Sequence, residues 1–329
     1  MSNRKFVLER STAFGRIGLI GEWGNDSCSL NRATPSYMIY TRAGHVPHLT
    51  WDTVTSKLDL KQSTNLFEIT LPSHYETVDV VNDYGKGIKS FCGVPADMKT
   101  HLNVTDPLGT CHIGYNDTKS IAIWTKSGRR SIVPSQLRDI VENFGVNSYS
   151  TLLDYDTPID AKNKRLTKAV NRTVDLLDDT FKREDDDSVK LSASALVCVG
   201  GGFSSFHRDR SARELGSNPM ASGFCIDLTA FSENQKNQLK VPFNEREIKT
   251  LLGDSMSHLP ETKLRFCGGS FTPVQILYLV SLGCDLFDTS YATMLAEEGK
   301  ALRLADDFPF NPTFSTLDFN DKKYECESP

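Results

Sequence analysis

Four aspartates end short strand-like runs in this sequence, at positions that suit nucleophilic or acid–base chemistry. They are Asp106 in "VTDPLG", Asp154 in "LLDYDTP", Asp227 in "FCIDL" and Asp288 in "LFDTS". In a barrel of parallel strands such residues meet at one mouth, where carboxylates can act on a sugar or a heterocycle. Each aspartate, taken singly, also suits capping of the helix that follows its strand.

Two glycine runs end other strand-like segments and would face the same mouth. They are residues 200–202 in "VCVGGGF" and residues 268–269 in "FCGGS". Because glycine has no side chain, such runs let a flat ligand approach the backbone closely. The sequence therefore predicts a site for a heterocycle or a sugar.

The elements that must position these residues alternate between strand and helix. Strands are predicted at residues 36–40, 66–70, 101–105, 148–154, 194–200, 222–228, 263–268 and 284–288. Helices are predicted at residues 134–145, 161–184, 203–216, 244–259 and 272–283, with another after Asp288. Eight strands in this alternation predict an α/β fold, a TIM (β/α)₈ barrel. A doubly wound sheet gives the same alternation, but no Gly-x-Gly-x-x-Gly opens a helix after the first strand.

Two segments are predicted to add strands to a single barrel domain that spans residues 1–329. Residues 1–40 form a β-rich N-terminal segment, and residues 111–133 form a β-hairpin inserted after the third barrel strand. Both segments are rich in short β-branched or aromatic runs separated by Gly, Asn and Ser.

The composition favours a cytoplasmic globular protein. Apolar residues make up 39% and charged residues 24% of the 329 residues, and no run is long and apolar enough for a membrane span or a signal peptide. The eight cysteines are dispersed without a C-x-x-C pair, so neither a disulfide framework nor an internal zinc site is predicted.

A net charge of −5 argues against a surface that wraps nucleic acid, so any RNA contact must be local or supplied by a partner. Candidate contacts are the basic runs 126–131 and 162–172. In the second run Lys164, Lys168 and Arg172 follow at four-residue steps, which predicts a shared helix face and a phosphate track. A solvated hairpin tip and a solvated helix face are the alternatives.

Several stretches, in order, resemble one family. They are "TPSYMIYTRAGHVPHLTWDTV", "VTDPLG" followed by "SGRRSIVPSQL", "LLDYDTP", and "GCDLFDTSYATMLAEEGKAL". Over residues 15–327 the chain is similar to the queuine tRNA-ribosyltransferase (tRNA-guanine transglycosylase) family. Within it, "MIYTRAGHVPHLTWDTV" and "KKYECESP" are most like the accessory subunit of the eukaryotic heterodimer.

The resemblance implies a TIM barrel that exchanges guanine for queuine at the wobble position of tRNA. Asp288 matches the nucleophile that attacks ribose C1′, Asp106 the acid–base residue, and Asp154 the residue that recognises the flipped base. The implied partners are a catalytic subunit and a tRNA with G at the wobble position. Peripheral association with the cytosolic side of the mitochondrial outer membrane is a further expectation.

The chain departs from the catalytic pattern at the base pocket. Gly200 stands where the family's Val-Gln-Gly-Gly turn has glutamine, "CIDLTAF" replaces a Gly-Gly-Leu segment, and "PLGTC" replaces Ser-Gly-Gly-Phe-Gln. In "PLGTC", Pro107 removes a backbone donor and restricts Asp106. These losses predict an accessory subunit without activity. An active transglycosylase that uses Asp288 as its nucleophile is the alternative, and an unrelated barrel hydrolase is a third.

The resemblance also implies a structural zinc site in the family, formed by a C-x-C-x-x-C run and a later histidine. The chain ends at "YECESP", before that run, and Cys326 precedes the motif. We therefore expect no metal site and no cofactor in this chain, and the dimer interface that this region helps to form in the family is in question.

Overall fold

The computed structural model describes residues 5–24, 29–57, 65–182 and 191–322. In chain order the strands are β1 (Phe6–Thr12), β2 (Gly15–Glu22), β3 (Ser29–Thr34), β4 (Ser36–Thr41), β5 (Leu66–Thr70), β6 (Lys99–Asn103), β7 (Ile121–Thr125), β8 (Gly128–Ile132), β9 (Ser148–Ser150), β10 (Ser194–Val199), β11 (Ala221–Ile226), β12 (Leu264–Phe266), β13 (Leu286–Asp288), β14 (Lys300–Leu304) and β15 (Phe314–Asp318). The α-helices are α1 (Trp51–Lys57), α2 (Leu71–His74), α3 (Val78–Tyr84), α4 (Gly87–Cys92), α5 (Pro134–Phe144), α6 (Asn163–Thr180), α7 (Ser205–Leu215), α8 (Glu245–Met256), α9 (Pro273–Ser281) and α10 (Ser290–Glu297).

Eight parallel strands close into a barrel, which confirms the predicted fold class. Their order around the barrel is β4, β5, β6, β9, β10, β11, β12 and β13, and β13 pairs with β4 to complete the circle. All eight predicted strands are present, although their ends shift. The strand predicted at residues 148–154 ends at Ser150, so Asp154 lies in the loop beyond it.

The five helices predicted with explicit bounds, and the one predicted after Asp288, are all present. Their ends follow the local sequence: Pro134 opens α5, and Gly145 closes it with a left-handed φ of 61°. Thr272 and Gln275 form a capping box at the start of α9. The short helices α1 to α4 were not predicted. Gly85 and Gly93 end α3 and α4, and Gly87 begins α4.

A three-stranded antiparallel sheet of β1, β2 and β3 covers one end of the barrel. Its Phe6, Ile20 and Trp23 pack in one cluster with Leu66 and Leu264, which begin their barrel strands. The buried carboxylate of Asp285 lies 3.3 Å from Arg16 Nε and ties the sheet to the barrel. The amino ends of the strands are therefore covered, and the carboxyl ends remain as the mouth.

Two hairpins extend from the barrel. β7 and β8 pair antiparallel within the predicted insertion at residues 111–133, and β14 pairs with β15 after the last barrel helix. Among the helices of the described residues, none is long and apolar enough to cross a membrane.

Candidate functional site

Asp288 ends β13 and lies buried inside the mouth, with 4% of its surface exposed. Its Oδ1 accepts a hydrogen bond from the Ser290 backbone at 2.8 Å, and its Oδ2 accepts one from the Gly269 backbone at 2.6 Å. The bond from Ser290 holds the start of α10, and Gly269 reaches the carboxylate with a φ of 142° that favours glycine. Burial raises the pKa of Asp288 to about 6, in spite of these bonds.

Glu68 lies in the middle of β5 and is fully buried beside this carboxylate. Asn103 donates to its Oε1 at 2.7 Å, while Oε2 has no hydrogen-bond partner among the described residues. Burial, and then the charge of Asp288, raise the pKa of Glu68 well above its usual value. Glu68 was not predicted as a site residue, and its one distinguishing mark in the sequence is a charge within the otherwise uncharged run "LFEIT".

Asp106 follows β6 and is half-buried at the mouth. Its Oδ1 accepts hydrogen bonds from the Tyr40 hydroxyl and from the Leu108 backbone, both at 2.9 Å. Burial raises the pKa of Asp106 despite these bonds. The charges of Asp106 and Asp288 both act on Glu68, so the three carboxyl groups form one cluster inside the barrel.

Asp154 accepts four hydrogen bonds, two at each carboxylate oxygen. Arg165 Nη2 and Asn116 Nδ2 donate to Oδ1 at 2.7 and 3.1 Å, and Arg165 Nη1 and Arg172 Nη1 donate to Oδ2 at 2.9 and 2.7 Å. Burial acts to raise the pKa of Asp154, but the bonds from Arg165 and the other donors outweigh it and hold the pKa below its usual value. An ionised carboxylate has about four acceptor sites, and all of them are used here.

Asp156 extends the same network to the insertion. Its Oδ2 accepts from the backbone N–H groups of Gly114, Tyr115 and Asn116 at 3.0, 2.7 and 3.0 Å. Arg165 also bonds to the Asp156 carboxylate, so one guanidinium joins two aspartates. The loop that leads into the hairpin β7–β8 is therefore fixed to α6.

The predicted phosphate track divides in the structure. Lys164 and Lys168 are exposed on α6, whereas Arg172 turns inward to Asp154 and its side chain is 14% exposed. Four-residue steps rotate by about 40° more than a full turn each, so Arg172 lies about 80° around the helix from Lys164, within reach of Asp154. Leu166 and Val170 are buried on the opposite face of α6.

Two loops cross the mouth and bond to each other. Asn234 Nδ2 donates to the Gly109 carbonyl at 2.8 Å, the Cys111 N–H to the Lys236 carbonyl at 3.3 Å, and the Gln238 N–H to the Cys111 carbonyl at 3.0 Å. One loop follows the third barrel strand and the other the sixth. These contacts narrow the entrance through which a flat ligand would approach.

A cavity lies between these loops and the barrel. Its lining includes Asp106, Trp124, Leu153, Tyr155, Asp227 and Gly268. Asp154 and Asp288 are not among the described residues that line it, and each is 4% exposed. The three family-matched aspartates therefore do not face one common ligand space.

Asp227 and Gly200 also have structural roles. Asp227 Oδ1 accepts from the Thr229 backbone at 3.2 Å and from its hydroxyl at 2.7 Å, which stabilises the turn after β11. A Cβ at Gly200 would lie 2.8 Å from Leu153 Cδ1, so a larger residue there would require Leu153 to move. The Leu153 side chain thus fills the space beside Gly200.

Comparisons with known proteins place the chain in a family. The model of the queuine tRNA-ribosyltransferase family matches residues 20–329. The chain belongs to the queuine tRNA-ribosyltransferase family. A relative from Caenorhabditis elegans, named queuine tRNA-ribosyltransferase accessory subunit 2, is 41% identical over 320 residues, which cover 97% of this chain and 82% of the relative.

Two further relatives of the queuine tRNA-ribosyltransferase family carry the same name. The protein from Caenorhabditis briggsae is 42% identical over 321 residues, covering 97% of this chain and 82% of its own length. The human protein is 27% identical over 315 residues, covering 95% of this chain and 72% of its own length. The resemblance noted in the sequence is therefore confirmed.

The zinc site implied by the family does not fit the described residues of this queuine tRNA-ribosyltransferase family member. Among them, no group of three or more His, Cys, Asp or Glu side chains is arranged to hold a metal ion. Within the same part of the chain Cys92, Cys111, Cys198, Cys225, Cys267 and Cys284 are free, while Cys28 and Cys326 lie outside the described residues.

Proposed function

We propose that this chain is the non-catalytic accessory subunit of a heterodimeric queuine tRNA-ribosyltransferase. Its partner, the catalytic subunit, exchanges guanine for queuine at the wobble position of tRNA, and this chain helps to seat the tRNA. The names of the relatives support the accessory role. The observation that carries the proposal is the four-bond saturation of Asp154 by the chain's own arginines and asparagine.

The saturated carboxylate explains why base binding fails. A flipped base binds productively when its polar edges find partners, and each unsatisfied buried group costs about 1–3 kcal/mol. Before Asp154 could accept from a base, Arg165 or Arg172 would have to give up an ion pair. The crossing loops and the packing at Gly200 add to this barrier.

The rival function, an active transglycosylase, is favoured by the retained carboxyl cluster. Asp288 with its raised pKa, next to Glu68 and Asp106, resembles an acid–base constellation. Against it, Asp288 is 4% exposed and already accepts two backbone hydrogen bonds. Catalysis requires the complete constellation at near-attack geometry, and the base-recognition part is occupied.

Lys164 and Lys168 are the proposed tRNA contacts on α6. Both ammonium groups are exposed, and within the described residues neither forms an ion pair. Arg172 is excluded from the proposed tRNA contacts, because its guanidinium forms an ion pair with Asp154. Phosphate contacts of this kind position the RNA without reading its sequence.

The cytoplasm, including the cytosolic side of the mitochondrial outer membrane, is the proposed location of the heterodimer. Its test is the distribution of the tagged chain between cytosolic and protease-accessible mitochondrial fractions. Recovery only inside protease-protected mitochondria would contradict it.

Reconstitution tests the function itself. The purified chain, the catalytic subunit and their mixture are each incubated with labelled guanine and a tRNA that carries G at the wobble position. We expect incorporation by the mixture to exceed the sum of the separate rates, together with a 1:1 complex in sedimentation. A mixture no faster than the catalytic subunit alone, with no complex, would contradict the proposed function.

A further inference from the structure

An aromatic and arginine cluster stands on the insertion beside the mouth. The ring centroids of His112 and Trp124 lie 4.1 Å apart, and those of Tyr115 and Trp124 lie 5.1 Å apart. The guanidinium carbon of Arg129 lies 5.2 Å from the centre of the Tyr115 ring. We call these four side chains the insertion platform. It combines the loop after β6 with the hairpin β7–β8.

Hydrogen bonds to Asp156 and Asn116 hold the backbone of the insertion platform, and part of the platform is open to solvent. The Asp156 carboxylate accepts hydrogen bonds from the backbone N–H groups of Tyr115 and of its two neighbours in the chain. Asn116 Oδ1 accepts a further hydrogen bond from the Ala122 N–H at 2.8 Å. Yet Tyr115 is 44% exposed and Arg129 is exposed. The rings meet edge to face, at interplanar angles of 61° for His112 and Trp124 and 88° for Tyr115 and Trp124. The exposed Tyr115 ring is therefore held by its neighbours and loses little conformational entropy when a ligand stacks on it.

Exposed lysines lie within the insertion or on the loop that bonds to it. Lys119, Lys126 and Lys236 are exposed, and the Lys236 carbonyl accepts the N–H of Cys111, the neighbour of His112. Within the described residues none of these lysines forms an ion pair. Two carboxylates lie in the same region. Asp117 accepts the N–H groups of Lys119 and Ser120 at 2.8 and 2.7 Å, and Glu76 accepts the N–H of Ser127 in the hairpin turn at 3.4 Å. In a chain of net charge −5, this local excess of positive charge favours a polyanion over an acidic or neutral protein surface.

We propose that the insertion platform stacks an unpaired base of single-stranded RNA, while Lys119, Lys126 and Lys236 contact the adjoining phosphates. Aromatic rings and guanidinium planes stack on any nucleobase, since every base has a π-face, and lysines hold the backbone as point charges. The inference rests on the proposed function only in naming tRNA as the RNA that carries this base. It adds an RNA contact separate from Lys164 and Lys168.

Tryptophan fluorescence gives a direct reading of stacking. The chain has three tryptophans, of which Trp23 and Trp51 are buried in the structure, so a base that stacks on the platform quenches chiefly Trp124. The probe is a short unstructured RNA oligonucleotide added to the full chain. We expect saturable quenching that disappears in Trp124→Phe.

Affinities from anisotropy of the same labelled oligonucleotide test the named residues. Tyr115→Ala should weaken binding by about 5-fold to 150-fold, the range reported for one stacked base. Tyr115→Phe, which keeps the ring, should bind as the unmodified chain does. Arg129→Lys keeps the charge and loses the plane, so it should also weaken binding. Phe310→Ala, at a ring 93% exposed on the β14–β15 turn, is the matched control and should change nothing.

The outcomes separate this inference from the proposed function. Unchanged RNA affinity in Tyr115→Ala and Arg129→Lys, with intact thermal unfolding, would overturn the inference and leave the cluster as hairpin packing. Weaker binding of the catalytic subunit without any effect on RNA would also overturn it. In both cases the unmodified chain would still stimulate guanine exchange. Absence of that stimulation would contradict the proposed function even if the oligonucleotide stacks on Tyr115.

Discussion

Arg165 binds Asp154 through two guanidinium nitrogens, with Nη1 to Oδ2 at 2.9 Å and Nη2 to Oδ1 at 2.7 Å. Arg172 and Asn116 fill the remaining acceptor sites of the same carboxylate. The residue that the family resemblance matches with base recognition is thus used to hold α6 and the insertion. In this chain the Asp154 carboxylate stabilises the fold.

Breaking the ion pair between Arg165 and Asp154 should destabilise the protein. Arg165→Leu leaves the Asp154 carboxylate, whose side chain is fully buried, without its bidentate partner, so we expect a loss of about 3 kcal/mol in the free energy of unfolding. Arg210→Leu, which breaks a partly exposed pair with Glu214 on α7, should cost about 0–1 kcal/mol. Urea unfolding measures both. Equal losses would show that the Arg165 pair is no more than a surface contact.

The buried His101 predicts a pH dependence of stability. Its ring bonds to the hydroxyls of Ser148 and Ser150, and burial lowers its pKa to about 3. Between the ordinary histidine pKa of about 6.5 and this value the unfolded chain binds a proton and the native chain does not. The free energy of unfolding should therefore decrease as the pH is lowered through this window, with His101 contributing about 1.4 kcal/mol per pH unit.

Two histidine variants isolate the contribution of His101 to the pH dependence of stability. His101→Gln removes the titrating group, so its stability gap to the unmodified protein should narrow as pH falls from 7 to 4.5 in urea titrations. His48→Gln, at an exposed histidine, is the matched control. Parallel stability curves for His101→Gln and the unmodified protein would refute the assignment.

Introducing a glutamine at position 200 should not give this chain exchange activity. Gly200→Gln brings a Cβ within 2.8 Å of Leu153 Cδ1, so we expect it to destabilise the protein by about 1–3 kcal/mol. Adding Leu153→Ala should recover part of that loss because it makes room. Neither variant should incorporate labelled guanine into tRNA, since Asp154 remains saturated. Incorporation by the double variant would mean that Gly200 alone accounts for inactivity.

Charge reversal on α6 tests the proposed tRNA contact. Lys164→Glu with Lys168→Glu should weaken tRNA binding by the heterodimer and reduce the salt dependence, by about one to two units in the slope of log affinity against log salt. The tRNA that is modified should not change, because phosphate contacts carry no sequence information. The matched control is Arg246→Glu with Lys249→Glu on α8, two exposed cations elsewhere. Equal effects of the two pairs would indicate a general charge effect.

The sequence predicted the barrel because its signals are local. Each barrel strand is a short apolar run between polar turns, and the ends of α5 and α9 follow from Pro134, Gly145, Thr272 and Gln275. Asp288 ends its strand as predicted, whereas Asp106 and Asp154 lie in the loops that follow their strands. Periodicity is sufficient for these features.

The partners of the site residues could not be predicted in the same way. Arg165 and Arg172 belong to the basic run 162–172, which was predicted as a candidate RNA contact. Only the folded backbone shows that these two side chains reach Asp154. The loop contact from Asn234 to Gly109 joins residues 125 positions apart. Glu68 gave no periodic signal, because one polar residue does not alter an apolar run.

The most direct test of the central claim, that this subunit does no chemistry, is the exchange rate of the assembled heterodimer with Asp288→Asn in this chain alone. Complex formation and thermal unfolding are measured in parallel, and Asp106→Asn serves as a second variant because its half-buried side chain tolerates change more readily. We predict labelled guanine incorporation within about twofold of the unmodified complex for both variants, since such a change corresponds to well under 1 kcal/mol. Loss of incorporation with an intact complex would show that Asp288 is catalytic and would contradict the account.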